Sequence, residues 1–290
     1  MISFYCPAKI NLFLKLTGKR DDGYHELESL FAFLDLADGL EIKKSDQFEL
    51  KISGEFAPLL DWQKNLFTEI LDFFATKFGI TKNLQIKIQK NIPIAAGLGG
   101  GSSDAAFFMK ALNEIFALSL SKKDLQEISL NFGSDIAFFF ENQASIIEGR
   151  GEIIENFPQF APIPALLINP KITLSTKEIF ARFAVMLCQS KHNFSAKIGS
   201  AMLLKKDVFD LIKNFPNDLE KPAITTLPLI SKILTELKNS GAEIAKRSGS
   251  GASCFGIFPD EKKLEAAKEN FAKNFPEFFV KKVKILSRAP

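Results

Sequence analysis

Two periods of hydrophobic and polar residues run through this chain. Every second position is apolar at Leu12, Leu14 and Leu16, and again at Leu84, Ile86 and Ile88, the rhythm of strands with one buried face. The first run continues a strand that begins at Ser3–Cys6 and that Pro7 is expected to interrupt. Further strands are expected at Leu30–Leu36, in pieces over Gly39–Ile52, and at Ala165–Ile168, Glu243–Lys246, Cys254–Phe258 and Phe278–Leu286. Ser145–Ile154 reads as strand, tight turn, strand. Helical spacing appears at Leu66, Ile70, Phe73, Phe74 and Phe78, with Gly79 closing the helix that starts at Asn65. It recurs at Ala105, Phe108, Leu112, Ile115 and Phe116, from about Ser102, and at Leu125 and Ile128. Ser175 and Glu178 form a capping-box pattern ahead of Ile179, Phe180, Phe183 and Leu187. Leu229–Leu237 and Lys262–Phe271 complete the helices, whereas Cys188–Ser200 is polar and reads as a loop. This is the pattern of an α+β protein. The proline-rich stretch Phe157–Pro164 divides it into expected domains at 1–157 and 158–290.

Between the strand ending at Lys90 and the helix from Ser102 lies Ile92-Pro93-Ile94-Ala95-Ala96-Gly97-Leu98-Gly99-Gly100-Gly101-Ser102-Ser103. Glycines at 97, 99, 100 and 101 allow positive φ and let an anion approach the main chain. A helix start adds free N–H groups and the positive end of the dipole. Together these features describe a phosphate cradle. The run is neither a Walker loop, since no Lys-Ser/Thr pair follows the last glycine, nor a dinucleotide fingerprint. Asp135, between Gly133-Ser134 and the apolar Ile136–Phe140, reads as a helix N-cap, as a carboxylate in a low-dielectric site suited to a base, or as both at once. The Ser248–Ser253 loop is either an ordinary turn or a second wall of the phosphate site.

Composition narrows the classes. A net charge of +3 is too small for a nucleic-acid binder, and it suits a phosphate-bearing small molecule. Cys6, Cys188 and Cys254 are scattered, without metal-ligand spacing, which suggests a reducing compartment. Met1–Tyr5 lacks the charged start of a signal peptide, and no apolar run is long enough to span a bilayer. The expectation is a cytoplasmic protein with no nucleic-acid or membrane partner, a monomer or weak homodimer.

Three segments in order carry a family likeness. Pro93–Ser103 resembles the phosphate loop of the GHMP kinases, as do Pro7-Ala8-Lys9-Ile10-Asn11-Leu12 and Gly249-Ser250-Gly251-Ala252-Ser253-Cys254-Phe255 their other motifs. Gly18–Leu27, containing Asp22-Gly23-Tyr24-His25, and Gly133–Phe139 resemble the cytidine-diphosphate-methylerythritol kinase subfamily; homoserine and mevalonate kinases lack the Asp-Gly-Tyr-His element. The likeness implies an N-terminal domain like domain 2 of ribosomal protein S5, a C-terminal ferredoxin-like domain, and an active site between them. It implies ATP as phosphoryl donor, with Mg²⁺, and a cytidine-diphosphate acceptor phosphorylated at its 2-hydroxyl. By position, Lys9 and Asp135 match the catalytic lysine and base. Asn11, Tyr24, His25, Thr176 and Phe180 match acceptor-binding positions. Pro93, Ile94, Ala95, Ala96, Gly97, Leu98, Gly99, Gly100, Gly101, Ser102 and Ser103 match the ATP loop, and Asn65 and Leu66 positions near the adenine. Metal ligands are not implied. Ala137 and Ala252-Ser253 depart from the family's usual Pro and Pro-Thr without removing a charged group.

Overall fold

The computed structural model describes residues 1–59, 66–190 and 194–290. Contacts gather the chain into two units. The first holds residues 1–8, 36–94 and 99–142, and the second 9–35, 95–98 and 143–290. The chain opens with two long strands, β1 (Ile2–Lys19) and β2 (His25–Lys44), each contributing to both units. Pro7 does not interrupt β1. Among the described strands β1 pairs only with β2, and on an edge strand a residue without an N–H is tolerated. The two pieces expected over Leu30–Lys44 are one strand, whose apolar residues hold it buried through most of its length.

The first unit adds β3 (Glu49–Ser53), α1 (Leu66–Phe78), β4 (Leu84–Gln89), α2 (Gly100–Ile115), α3 (Lys122–Ser129) and a 3₁₀ helix (Ser134–Phe140). The end of β2 pairs antiparallel with β4, Gly39 opposite Gln89, and β3 runs parallel to β4. Leu40, Ile42, Leu84, Ile86 and Ile88 are buried on this sheet, and Ile70, Phe74, Phe108 and Leu112 on the helices. The Phe67 and Phe108 rings, 4.8 Å apart, join α1 to α2. Asn65 lies outside the described residues.

The second unit contains β5 (Ser145–Gly149), β6 (Ile153–Asn156), β7 (Ile163–Asn169) and α4 (Thr176–Ser190). Then come α5 (Ser200–Leu203), α6 (Val208–Asn214), α7 (Glu220–Thr226), α8 (Leu229–Asn239), β8 (Ile244–Arg247), β9 (Cys254–Ile257), α9 (Glu261–Asn274) and β10 (Phe279–Leu286). The start of β2 pairs with β5, Glu28 opposite Glu148, and with β10, Leu34 opposite Ile285. The order β10–β7–β9–β8, with helices after β7 and β9, is the ferredoxin-like arrangement. Leu166, Ile168, Ile179, Ile230, Ile233, Leu237 and Phe271 are buried in its core. The start of the segment read as a polar loop is helical, since α4 runs on through Cys188 to Ser190.

Candidate active site

In the first unit the glycine run becomes a helix start. α2 begins at Gly100 rather than near Ser102. Its cap is Gly99 in the left-handed conformation (φ 67°), with no side-chain cap. Ser102 is therefore not the N-cap. It lies in the first turn, where the N–H groups of Gly100, Gly101 and Ser102 precede the first helical bond, Ser103 N to Gly99 O at 2.8 Å. Gly101 is exposed, and a Cβ there would meet open space, whereas one at Gly100 would press on Ile92 at 3.0 Å and on Asp38 at 3.4 Å.

Behind this turn sits a buried charge cluster that the sequence reading missed. Lys90 Nζ donates to Asp38 and, at 2.5 Å, to Asp104 Oδ2. Asp38 Oδ1 in turn accepts from Asn91 N at 2.5 Å and Ile92 N at 2.8 Å. The cluster thus ties the end of β4 to the first turns of α2. Burial pulls against the Lys90 charge, but the Asp104 and Asp38 carboxylates hold its pKa above the ordinary value. Burial pushes Asp104 up to about 7 against the pull of Lys90. Asp104 Oδ1 and the buried Ser103 Oγ have no hydrogen-bond partner among the described residues.

Asp135 lies in the first turn of the 3₁₀ helix, half-buried, after Gly133 at the cap position. Gly133 takes the N-cap position, so Asp135 is not the cap residue. The 3₁₀ helix packs on α2, and Lys110 Nζ of α2 donates to Phe139 O at 3.0 Å.

In the second unit, Lys9 and Asn11 share one buried face of β1, 3% and 2% exposed. Lys9 Nζ donates to Asn11 Oδ1 at 2.6 Å and lies 4.3 Å from the centre of the Phe31 ring. Asn11 Nδ2 donates to Ser29 Oγ at 3.0 Å, and Asn11 N to Ser248 Oγ at 3.1 Å. The two glycine segments meet here. Ser248 Oγ donates to Gly97 O at 2.9 Å, Ser253 N to Ala96 O at 3.2 Å, and Lys9 N to Leu98 O at 2.9 Å. A Cβ on Gly251 would collide with Ala96 and the Gly97 nitrogen, and one on Gly97 with the Ser248 carbonyl. The Ser248–Ser253 loop is therefore fitted to Ala96–Gly97 and is more than a connecting turn. Buried Arg247 holds it from beneath, with Nε on Gly251 O and Nη1 on Leu219 O, both 2.7 Å. Asn217 Nδ2 donates to Arg247 O and Gly249 O.

His25 and Phe180 come together, ring centres 5.3 Å apart, joined by Phe183 at 6.0 Å and Phe194 at 6.2 Å from His25. His25 Nε2 is buried without a partner among the described residues. Burial and the nearby Lys19 hold its pKa below the ordinary histidine value. Tyr24 is exposed, its ring 5.3 Å from the Arg150 guanidinium carbon. Thr176 Oγ1 bonds Ser250 Oγ at 2.7 Å, linking α4 to the second glycine loop.

The family model of the GHMP kinases N terminal domain matches residues 65–143, and that of the GHMP kinases C terminal domain residues 195–277. A relative from Thermoanaerobacter pseudethanolicus, named 4-diphosphocytidyl-2-C-methyl-D-erythritol kinase, is 35% identical over 276 residues, 95% of this chain and 93% of its own. This chain belongs to that kinase family. A member from Chelativorans sp. is 34% identical, over 98% of this chain and 96% of its own. A solved 4-(cytidine 5'-diphospho)-2C-methyl-D-erythritol kinase superposes with a TM-score of 0.77 at 26% identity, over 97% of this chain and 99% of that one. The two-domain α+β GHMP kinase fold expected from the motifs is the fold of the family, and ATP is its phosphoryl donor. Among the described residues no helix is long and apolar enough to cross a membrane.

The glycine loop, Lys9, Asn11 and the Asp-Gly-Tyr-His turn were legible as local motifs. Asp38, Lys90, Asp104, Asn217 and Arg247 were not, because an isolated charged residue reads as surface until packing buries it. The one available signal was position: Lys90 and Arg247 each stand at a strand end just ahead of a glycine loop.

Proposed function

We propose that this kinase transfers the γ-phosphoryl group of ATP to the 2-hydroxyl of 4-diphosphocytidyl-2-C-methyl-D-erythritol, giving the 2-phosphate and ADP. The observation that carries the reading is the Gly99-capped start of α2, whose leading N–H groups have no helical acceptor. Phosphoryl transfer depends on placement and charge neutralisation, and this turn supplies both for the nucleotide's phosphates. Asp135 takes the proton of the attacking hydroxyl. Lys9, kept dry by its buried strand and oriented by Asn11, offsets the charge that develops in transfer. The unpartnered His25 nitrogen meets the polar edge of cytosine, while Tyr24 and Phe180 offer ring faces, a contact worth about 1–3 kcal/mol per base in other nucleotide binders. Leu66, at the start of α1, belongs to the adenine side, with Asn65. Homoserine and mevalonate kinases share the phosphate loop without the Asp-Gly-Tyr-His turn, so the cytidine group selects between these acceptors.

Among the described residues no three His, Cys, Asp or Glu side chains gather as a metal site. Mg²⁺ carried in on the nucleotide would neutralise phosphate charge, and Ser102 or Ser103 in the first turn of α2 would add one oxygen. The protein acts in the cytoplasm on small molecules, as a monomer or weak homodimer. Asp135→Ala tests the base: phosphoryl transfer should fall by at least about 10²-fold while ATP affinity stays within about twofold of wild type. Near-normal turnover in that variant would remove Asp135 from the mechanism.

A further inference from the structure

Two carboxylates in the second unit are placed where electrostatics disfavours them. Glu28 on β2 and Glu148 on β5 are direct cross-strand partners, 0% and 7% exposed. Like charges opposite each other destabilise a sheet, and burial adds a desolvation cost. Both are satisfied by one short stretch of main chain. Glu28 accepts from Ile198 N at 2.9 and 3.0 Å and from Gly199 N at 2.5 Å. Glu148 accepts from Ser200 N at 2.9 Å and pairs with Lys197 at 2.9 Å. Lys15, 3.9 Å from Glu28, donates to Ala196 O at 2.5 Å. Ser195 completes the attachment, its N–H on Leu16 O at 2.9 Å and its hydroxyl on Asp218 Oδ2 at 2.8 Å.

Every residue from Ser195 to Ser200 is thus fastened through its main chain or side chain, and the residue just before them is Phe194. Its ring lies 6.2 Å from both His25 and Phe183. A coil that served only as a connection would be solvated and would not need two buried carboxylates.

We propose that Glu28 and Glu148 are positioning residues for the acceptor nucleoside. They fasten 195–200 so that Phe194 closes the ring cluster around His25, and through Phe194 they set affinity for a cytidine nucleotide. The proposal rests on the reading that this cluster takes the cytosine. It makes Phe194 and Phe183 specificity-determining residues beside Phe180, and it gives the polar stretch after α4 a function.

The chain of 290 residues is titrated calorimetrically with cytidine 5'-diphosphate, and KM is measured separately for acceptor and for ATP. The variants are Phe194→Ala, Glu148→Gln, their double, and Ser200→Pro. The last removes a single donor to Glu148 at the first position of α5, where proline is tolerated. Phe194→Ala should weaken cytidine-diphosphate binding roughly tenfold and raise the acceptor KM to match, with the KM for ATP and kcat unchanged. Glu148→Gln and Ser200→Pro should move the same two quantities in the same direction. The double variant should bind no more weakly than Phe194→Ala alone, because both changes act through one ring. Binding unaltered in Phe194→Ala, or fully additive losses in the double, would overturn the proposal while leaving the acceptor assignment standing. Wild-type protein that fails to bind cytidine diphosphate would overturn both.

Discussion

A single added methyl group distinguishes the glycines of this site. At Gly251 it would run into the main chain of Ala96 and Gly97, which cannot yield as a side-chain tip can. At exposed Gly101 it would meet no other part of the protein within 4 Å. The two alanine variants should therefore behave oppositely. Gly251→Ala should lower thermal stability and kcat/KM for ATP together. Gly101→Ala should keep or slightly raise stability, since alanine suits a helix better, yet raise the KM for ATP because the open space is where a phosphate approaches. Equal effects on stability would contradict this account of the loop. His25 offers a second residue-scale test. Burial and Lys19 disfavour its charged form, so its pKa in the folded chain lies below the ordinary histidine value of 6.5. The unfolded chain then binds the proton first as pH falls, and His25's contribution to stability is lost below about pH 6.5. An NMR titration of the His25 ring should give a midpoint under 6.5, and a midpoint at or above it would contradict the assignment. Residues of this kind were legible when they stood in a local motif, as Lys9-Ile10-Asn11 and Tyr24-His25 do. Ser248 was not, since its role depends on a Gly97 carbonyl 151 positions away in sequence.

At the scale of elements, the device that matters most is the join of β4 to α2. Lys90 stands between two buried carboxylates, one capping the main chain at Asn91 and Ile92, the other in the second turn of α2. Lys90→Met would leave Asp38 and Asp104 buried together without their cation. Breaking a buried pair in this way costs about 3–5 kcal/mol, so chemical denaturation should show a loss of that size. A change below about 1 kcal/mol would mean that water or another cation replaces the ammonium. Periodicity located these elements, because five apolar positions at helical spacing fix a face for α1 and for α2, and Leu84, Ile86 and Ile88 alternate through β4. It misplaced the start of α2 by two residues, since a left-handed glycine caps the helix without any side-chain signal. It passed over α5, α6 and α7, which at 4, 7 and 7 residues are too short to display a period.

For the molecule as a whole, the chain shows what linear reading can and cannot reach. The order of motifs carried the family, and the ferredoxin-like expectation came with that likeness; the elements visible in sequence are compatible with the observed order without fixing it. The grouping by contacts does not follow sequence, because β1, β2 and the glycine run each divide between units. No local pattern encodes such a division; it depends on which strands pair. The central claim is the reaction itself, and phosphorus NMR of the purified chain with ATP, Mg²⁺ and 4-diphosphocytidyl-2-C-methyl-D-erythritol tests it most directly. ADP should appear together with a new phosphomonoester on the acceptor's 2-oxygen, its diphosphate resonances retained. An unchanged acceptor under conditions where homoserine or mevalonate is phosphorylated would contradict the account.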